Sequence, residues 1–429
     1  MSQNSVAERT AAMLSEEHIA NLVELYKDLH AHPELSMQEV RTAGIVAERL
    51  AKAGYEVTEA IGQTGVVGVL RNGEGATILL RGDMDGLPVR EQTDLPYAST
   101  FQGTTPEGET TYAMHACGHD VHTTALLGTA EALAAHRDNW SGTVVICAQP
   151  AEETGEGAVA MLNDGLMTRF PRPDICLGQH TGPAREGTIL HRSGIMMSAA
   201  ANVTIKLFGK GGHASQPESC VDPVVAGAYL VTRLQTIISR EVPPSDAALL
   251  SITMFHAGSK ANIIPNDATI TMNLRVRSDQ RKQQILAGIE RIAKAESEAA
   301  GLVAPPEITV FSNFPVTVND GAVVDRVRTT HEELFGDAVV EGPVLMGSED
   351  FSEFGIPGEN RYDGDPIPYA YWFFGITDPE LFDAADGDDF FAKMANVPVN
   401  HTDRYAPSTP EPTVRLATKL LTSAALTYL

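Results

Sequence analysis

Apolar residues recur at helical spacing over residues 15–31 (Ile19, Leu22, Val23, Leu25, Tyr26 and Leu29), and Pro33 stops the run. A second helical stretch is expected over 37–53, closing on Lys52-Ala53-Gly54. The pattern then shifts to short runs rich in Val, Ile and Leu at 65–70 and 77–81, which predict strands. A helix to about 135, a strand over 142–149, a helix over 158–164 and a strand over 174–178 follow. Three of these strands empty into polar residues: Asp83 and Asp85 after the second, Glu152 and Glu153 after the third, Gln179-His180 after the fourth. Open α/β sheets place their sites outside the carboxyl ends of strands.

Between 196 and 313 the order becomes strand, helix, strand, strand, helix, strand, the βαββαβ arrangement of a ferredoxin-like unit. A helix over 320–335, a stretch at 345–354 carrying Glu349-Asp350, a strand over 369–375, a loop with His401 and a closing helix from 411 complete the chain. The acidic run 378–389 is expected to be a solvated surface loop. The reading is an α/β protein whose catalytic domain (1–195 and 314–429), a mixed sheet flanked by helices, is interrupted by a smaller ferredoxin-like domain at 196–313. A length of 429 residues fits more than one core.

Composition narrows the partners. The 43% hydrophobic and 20% charged content is that of an ordinary globular protein. A net charge of -25 argues against nucleic acid or an anionic membrane, since both require positive surface. No apolar run approaches the ~20 residues of a membrane span. The N-terminal stretch has no basic segment followed by an apolar core, so no secretory signal is expected, and the four cysteines are no disulfide framework. The cytoplasm is the expected location.

The chemistry concentrates in MHACGHDVHT (114–123), which sets the Cys117 thiol beside the imidazoles of His115, His119 and His122. Cys, His and carboxylate side chains are the ligands of zinc-like metals. Such a cluster alone is also compatible with a buried polar turn. The Glu152-Glu153 pair, His180 and His401, each at a loop-type sequence, favour a metal centre.

Taken together, the motifs resemble the amidohydrolase branch of the di-metal aminoacylase/carboxypeptidase family, which includes hippurate hydrolases, N-acyl-amino-acid amidohydrolases and auxin-conjugate hydrolases. The resemblance spans nearly the whole chain: DLHAHPELSMQE (28–39), RGDMDGLP (81–88), MHACGHDVHT, QPAEETGEGA (149–158), GQH (178–180), GKGGHAS (209–215), NIIP (262–265), GSEDF (347–351) and the late Asn400-His401. It implies Cys117, His119, Glu153, His180 and His401 as ligands of two divalent ions, zinc first, with manganese, cobalt or nickel as alternatives. Cys117 would bridge the ions, Glu153 and His401 completing one shell, His119 and His180 the other. It implies Glu152 as the catalytic carboxylate. It further implies that the ferredoxin-like domain is a lid that forms a homodimer and lends His213, Asn262 and Arg275 to the substrate.

Peptidase relatives carry His-x-Asp where this chain has Asp83-Met84-Asp85, and His119 would supply the missing imidazole. Neighbouring residues of extended backbone point opposite ways, so Glu153 can bind metal while Glu152 faces water. Glu152 would take a proton from the attacking water and return it to the leaving amine. Asp85 and Asp83 would accept ring N–H groups of ligand histidines, with a turn cap as the alternative for Asp83. His213 could donate to the scissile carbonyl oxygen. Arg275 could clamp a substrate carboxylate, or form a surface salt bridge. The implied reaction cleaves a small N-acyl amino acid into a carboxylic acid and an amino acid. The alternatives are a dipeptidase or carbamoylase on the same scaffold, a catalytically idle metal-binding protein, and an α/β binding protein with incidental motifs.

Overall fold

A computed structural model describes residues 5–105, 108–358 and 361–429. The chain forms two compact units. The first runs to Met196 and resumes over Val318–Pro343 and Asp350–Leu429; the second comprises Met197–Thr317 and Val344–Glu349.

The first unit is built on an eight-stranded mixed sheet. At its centre Gly142–Gln149, Thr77–Asp83, Ile175–Arg185 and Tyr369–Thr377 lie side by side and parallel. Their registers bring Asp83 opposite Gln149 and Phe373 opposite His180. Parallel pairing therefore delivers the polar strand ends to one edge of the sheet, as open α/β sheets require. Outer strands Glu56–Ile61 and Gly65–Asn72 pair antiparallel on one side, and Ile189–His191 and Val339–Glu341 extend the other.

Helix His119–Ala135 starts directly from the Cys/His motif and is buried on nearly every side, between the sheet strand Thr77–Asp83 and the helices Glu16–Ala31, Val40–Ala53 and Pro410–Leu426. Because it is buried on nearly every side, it shows no single apolar stripe. Its core partners include Leu22, Val46, Leu80, Val144, Val414 and Leu421, all essentially inaccessible to water.

The second unit holds a four-stranded antiparallel sheet in the order Ala248–Ala257, Asp267–Val276, Ala199–Phe208, Ala304–Phe314. Helices Pro223–Thr236 and Asp279–Ala299 cover one face through Ala226, Leu230, Ile285 and Ile289, which meet Val203, Ile205, Ile270 and Met272. Segment Val344–Glu349 joins this unit because the Ser198 N–H donates to the carbonyls of Leu345 and Gly347, and Arg275 donates to Met346 O and Ser348 Oγ.

Two expectations are corrected. Helix Val40–Ala53 begins later than 37, because Met37 adopts a left-handed φ of 62° that no helix continues through. The acidic stretch is no plain loop: Asp378 accepts from the N–H groups of Glu380 and Leu381 and caps the short helix Pro379–Ala384. No helix among the described residues is long and apolar enough to cross a membrane.

Candidate metal centre

The first unit gathers Asp83, Asp85, Cys117, His119, Glu152, Glu153, His180 and His401 around one point. Each arrives by a local device. Gly118, with φ 82°, stands at the N-cap of helix His119–Ala135, and a Cβ there would overlap Thr181 Oγ1. That turn buries Cys117 and sets its Sγ 3.5 Å from His180 Nε2. Glu152 and Glu153 follow Ala151, a non-glycine residue with φ 47°. Gly157 closes the same turn, since a Cβ at that position would run into the Pro150 carbonyl. His401 is itself left-handed, with φ 70°, and its N–H donates to Ala116 O at 2.7 Å.

Among the groups of donor atoms lying within 4.8 Å of one another, two contain a thiol: Cys117, His119 and His180, and Cys117, Glu153 and His401; Asp83, His119 and His122 form another beside them. The first two share one sulfur. His119, Glu152 and Glu153 form a further group at the same spacing. His119 Nε2 lies 3.8 Å from an oxygen of each glutamate, and His401 Nε2 lies 3.3 Å from Glu153 Oε2. The His401 side chain is 56% exposed, so this triad opens to solvent on one side.

Carboxylates and carbonyls orient the rings. Asp85 Oδ1 accepts from His119 Nδ1 at 3.2 Å, leaving Nε2 to face the donor cluster. His180 Nδ1 donates to Thr181 O at 2.6 Å, which turns its Nε2 lone pair toward Cys117. Asp83 is placed otherwise than its pairing with a ligand histidine would require. Its Oδ1 accepts from His122 Nδ1 at 2.6 Å, and its Oδ2 from the buried Arg81. His122 Nε2 in turn accepts the Thr181 N–H at 2.9 Å. His122 thus holds the residue whose carbonyl orients His180, a role its adjacency to His119 in the motif does not disclose. His115 is buried nearby and contributes no atom to the donor triads.

The electrostatics suit a cation. Burial, reinforced by the Glu153 charge, pushes the Cys117 thiol well above its ordinary value. Burial raises the Glu153 carboxyl to about 8, against the pull of His119. Burial also works against charge on His119, but Asp83 and the bond to Asp85 override it and push the ring well above its ordinary value. Burial and the neighbouring His122 keep His180 neutral. Thiolate, neutral imidazole and carboxylate are the forms that bind metal, so metal binding would release whatever protons these groups carry. Two buried atoms at the centre, His119 Nε2 and Glu153 Oε1, have no hydrogen-bond partner among the described residues. Such atoms are costly to bury. A divalent cation among thiolate, imidazole and carboxylate satisfies both, and the residues present fit the group.

The remaining candidates lie in the second unit. His213, in the short strand Gly212–His213, pairs with Ile263, next to Asn262, whose carbonyl accepts the Ala214 N–H. His213 Nδ1 accepts from the N–H of Ser215 and bonds its hydroxyl at 2.7 Å, so Nε2 carries the hydrogen and is a donor. Arg275 is held by Asn273 Oδ1 on Nε and by Met346 O and Ser348 Oγ on Nη1. No described contact joins Arg275 to His213 or Asn262.

Comparison with known proteins gives the same picture. The profile of peptidase family M20/M25/M40 matches residues 79–387. A hippurate hydrolase of Campylobacter jejuni is 41% identical over 332 residues, 76% of this chain and 82% of that protein. An N-acetylcysteine deacetylase of Bacillus subtilis is 35% identical over 342 residues, covering 79% and 86%. The crystal structure of the Bacillus subtilis YXEP protein, described as a dinuclear metal binding peptidase of the M20 family, superposes with a TM-score of 0.72 at 27% identity, covering 96% of this chain and 98% of that one.

Proposed function

The chain belongs to peptidase family M20/M25/M40, and from that premise and its buried donor triads we propose a metal-dependent amidohydrolase that cleaves N-acyl amino acids into a carboxylic acid and a free amino acid. The observation that carries this is the pair of triads sharing Cys117 Sγ, with Glu152 beside them and outside both. Relatives named hippurate hydrolase, N-acetylcysteine deacetylase and IAA-amino acid hydrolase act on this class of conjugate.

Cys117, His119 and His180 would hold one divalent ion, and Cys117, Glu153 and His401 the other. Zinc, manganese, cobalt and nickel all suit this donor set, with zinc first. Bound there, divalent ions supply Lewis acidity toward a carbonyl oxygen and acidify a water toward neutrality. Glu152, 5% exposed and fixed at its backbone by Asp85, takes the proton from the attacking water and carries it to the amine nitrogen as the C–N bond breaks. Asp85 keeps His119 in the tautomer that binds through Nε2. The Nε2–H of His213 suits the developing oxyanion, with Asn262 as its neighbour, and the Arg275 guanidinium suits the substrate carboxylate.

A cytoplasmic homodimer is part of the same reading. In the second unit the edge strand Ala248–Ala257 exposes Leu249, Met254 and Phe255, and the helix Pro223–Thr236 exposes Val225 and Tyr229. An apolar edge strand of this kind is a template for pairing with a second copy. The whole reading is tested by free amino acid released from a panel of N-acetyl, N-benzoyl and long-chain acyl amino acids, before and after chelation and on metal return. Release that stops with chelator and returns with metal supports it. No release from a protein carrying bound metal favours the idle metal-binding alternative.

A further inference from the structure

The stretch PELSMQE (33–39) takes no part in the chemistry above, yet it ends in Glu39, a carboxylate 0% exposed. Glu39 stands at the N-cap of helix Val40–Ala53 and makes no side-chain bond to it. Glu34 serves that helix instead: its two carboxylate oxygens accept the N–H groups of Arg41 and Thr42. Glu39 points elsewhere. Its Oε1 accepts the Ala151 N–H at 2.8 Å and the Met37 N–H at 2.9 Å, and its Oε2 accepts the Thr64 hydroxyl at 2.6 Å.

Burying a carboxylate away from any cation is costly. Burial, together with the Asp85 charge, raises the Glu39 carboxyl to about 7. The compensation lies at Ala151. That residue holds a φ of 47°, a left-handed conformation that is strained for a side chain with a Cβ. It immediately precedes Glu152 and Glu153. The N–H of Glu152 goes to Asp85 Oδ1 at 3.1 Å and that of Glu153 to Asp85 Oδ2 at 3.0 Å. Ser36, from the same PELSMQE stretch, donates to Asp85 Oδ2 at 2.7 Å. Three consecutive backbone N–H groups are thus clamped by two buried carboxylates, and both carboxylates are tied to one N-terminal segment.

We propose that Glu39 is a positioning residue for the reaction: by accepting the Ala151 N–H it holds the left-handed turn that aims Glu152 at the reacting water and Glu153 at the metal. This rests on the roles assigned above to Glu152 and Glu153. The part played by Glu39 is that of a hydrogen-bond acceptor, so a glutamine can replace it: its oxygen accepts from Ala151 and its amide donates to the Thr64 hydroxyl.

The test compares Glu39→Ala and Glu39→Gln in the full-length protein for kcat, KM, metal affinity by chelator competition, amide exchange of segment 148–157, and Tm. For folded Glu39→Ala the expected result is a kcat lower by about 100-fold, the cost of a misplacement near 1 Å, with KM changed less than about 3-fold. Metal affinity should fall by roughly 10-fold. Exchange should accelerate in 148–157 and not in the core strands. Glu39→Gln should stay within about 5-fold of the parent on both counts. Should Glu39→Ala not fold, Thr64→Val removes one of the donors fixing Glu39, and a kcat reduced at least about 3-fold supports the proposal. Unchanged kcat and metal affinity in folded Glu39→Ala, an unchanged kcat in Thr64→Val where Glu39→Ala does not fold, or Glu39→Gln as damaged as Glu39→Ala, overturns it. If the parent releases no amino acid from any substrate, the reading of Glu152 fails instead, and metal affinity and amide exchange still decide the role of Glu39.

Discussion

Asp85 Oδ1 accepts the Nδ1–H of His119 at 3.2 Å, deep in the first unit where both side chains are closed to water. One carboxylate thereby fixes the tautomer of a proposed ligand while its two oxygens also take the N–H groups of Glu152 and Glu153.

The first prediction follows from this shared load. Asp85→Ala should weaken metal binding by roughly 10–100-fold, the usual effect of removing a group that orients a ligand. Turnover at saturating metal should fall as well, because the Glu152 backbone loses its anchor. A chelator-competition titration reads the first effect and steady-state kinetics at high metal the second. Metal affinity equal to that of the parent protein would show that Asp85 orients nothing.

Gly118 supplies a second prediction. Gly118→Ala adds a Cβ that overlaps Thr181 Oγ1 and places it on a backbone with φ 82°. The cost is about 1–3 kcal/mol of stability, read as a lower Tm. Thr181→Ala in the same chain relieves the overlap and leaves the backbone strain, so the double variant should recover part of the loss. A double variant no better than Gly118→Ala would assign the whole effect to φ.

A third prediction concerns pH. His191 Nε2 donates to His331 Nδ1 at 2.8 Å, and His331 Nε2 donates to Leu420 O, so both rings are neutral and buried. Burial lowers His331 to about 4, and burial with the neighbouring His331 lowers His191. The folded state therefore binds fewer protons than the unfolded chain below the ordinary histidine value of about 6.5. This contribution to stability is present above pH 6.5 and is lost as pH falls toward 4. It amounts to roughly 2–3 kcal/mol for His331 between pH 7 and 4.5. His331→Gln removes that proton uptake and can keep the bond to Leu420. Between pH 7 and 4.5 the parent should lose roughly 2–3 kcal/mol more stability than His331→Gln, and a difference between the two that stays constant with pH would contradict the account.

The residues proposed to carry the chemistry are legible in the sequence because they sit in contiguous strings, and because parallel strands bring the ends of those strings to one sheet edge. Cys117, His119, Glu152, Glu153, His180 and His401 are all readable in this way. What joins the strings is not. Glu39 acts on Ala151 across 112 residues, and nothing local marks Ala151 as left-handed. His122 reads as one more imidazole of the motif until its two nitrogens are seen occupied by Asp83 and Thr181. Asp83 reads from its spacing as an orienting group for a ligand histidine, but the buried Arg81 and His122 take its two oxygens. Segment Val344–Glu349 has no strand or helix signal of its own and reaches the second unit through hydrogen bonds to Ser198 and Arg275.

The central claim is that metal binding and proton transfer are separate duties of adjacent glutamates, and Glu152→Gln tests it most directly. Bound metal per chain and amino acid released from N-acyl amino acids would be measured side by side for the parent and Glu152→Gln. The account predicts near-parental metal content with turnover lowered by at least about 10²–10⁴-fold, the scale of a positioned proton-transfer group. Parental turnover in Glu152→Gln, or loss of metal in step with activity, would contradict it.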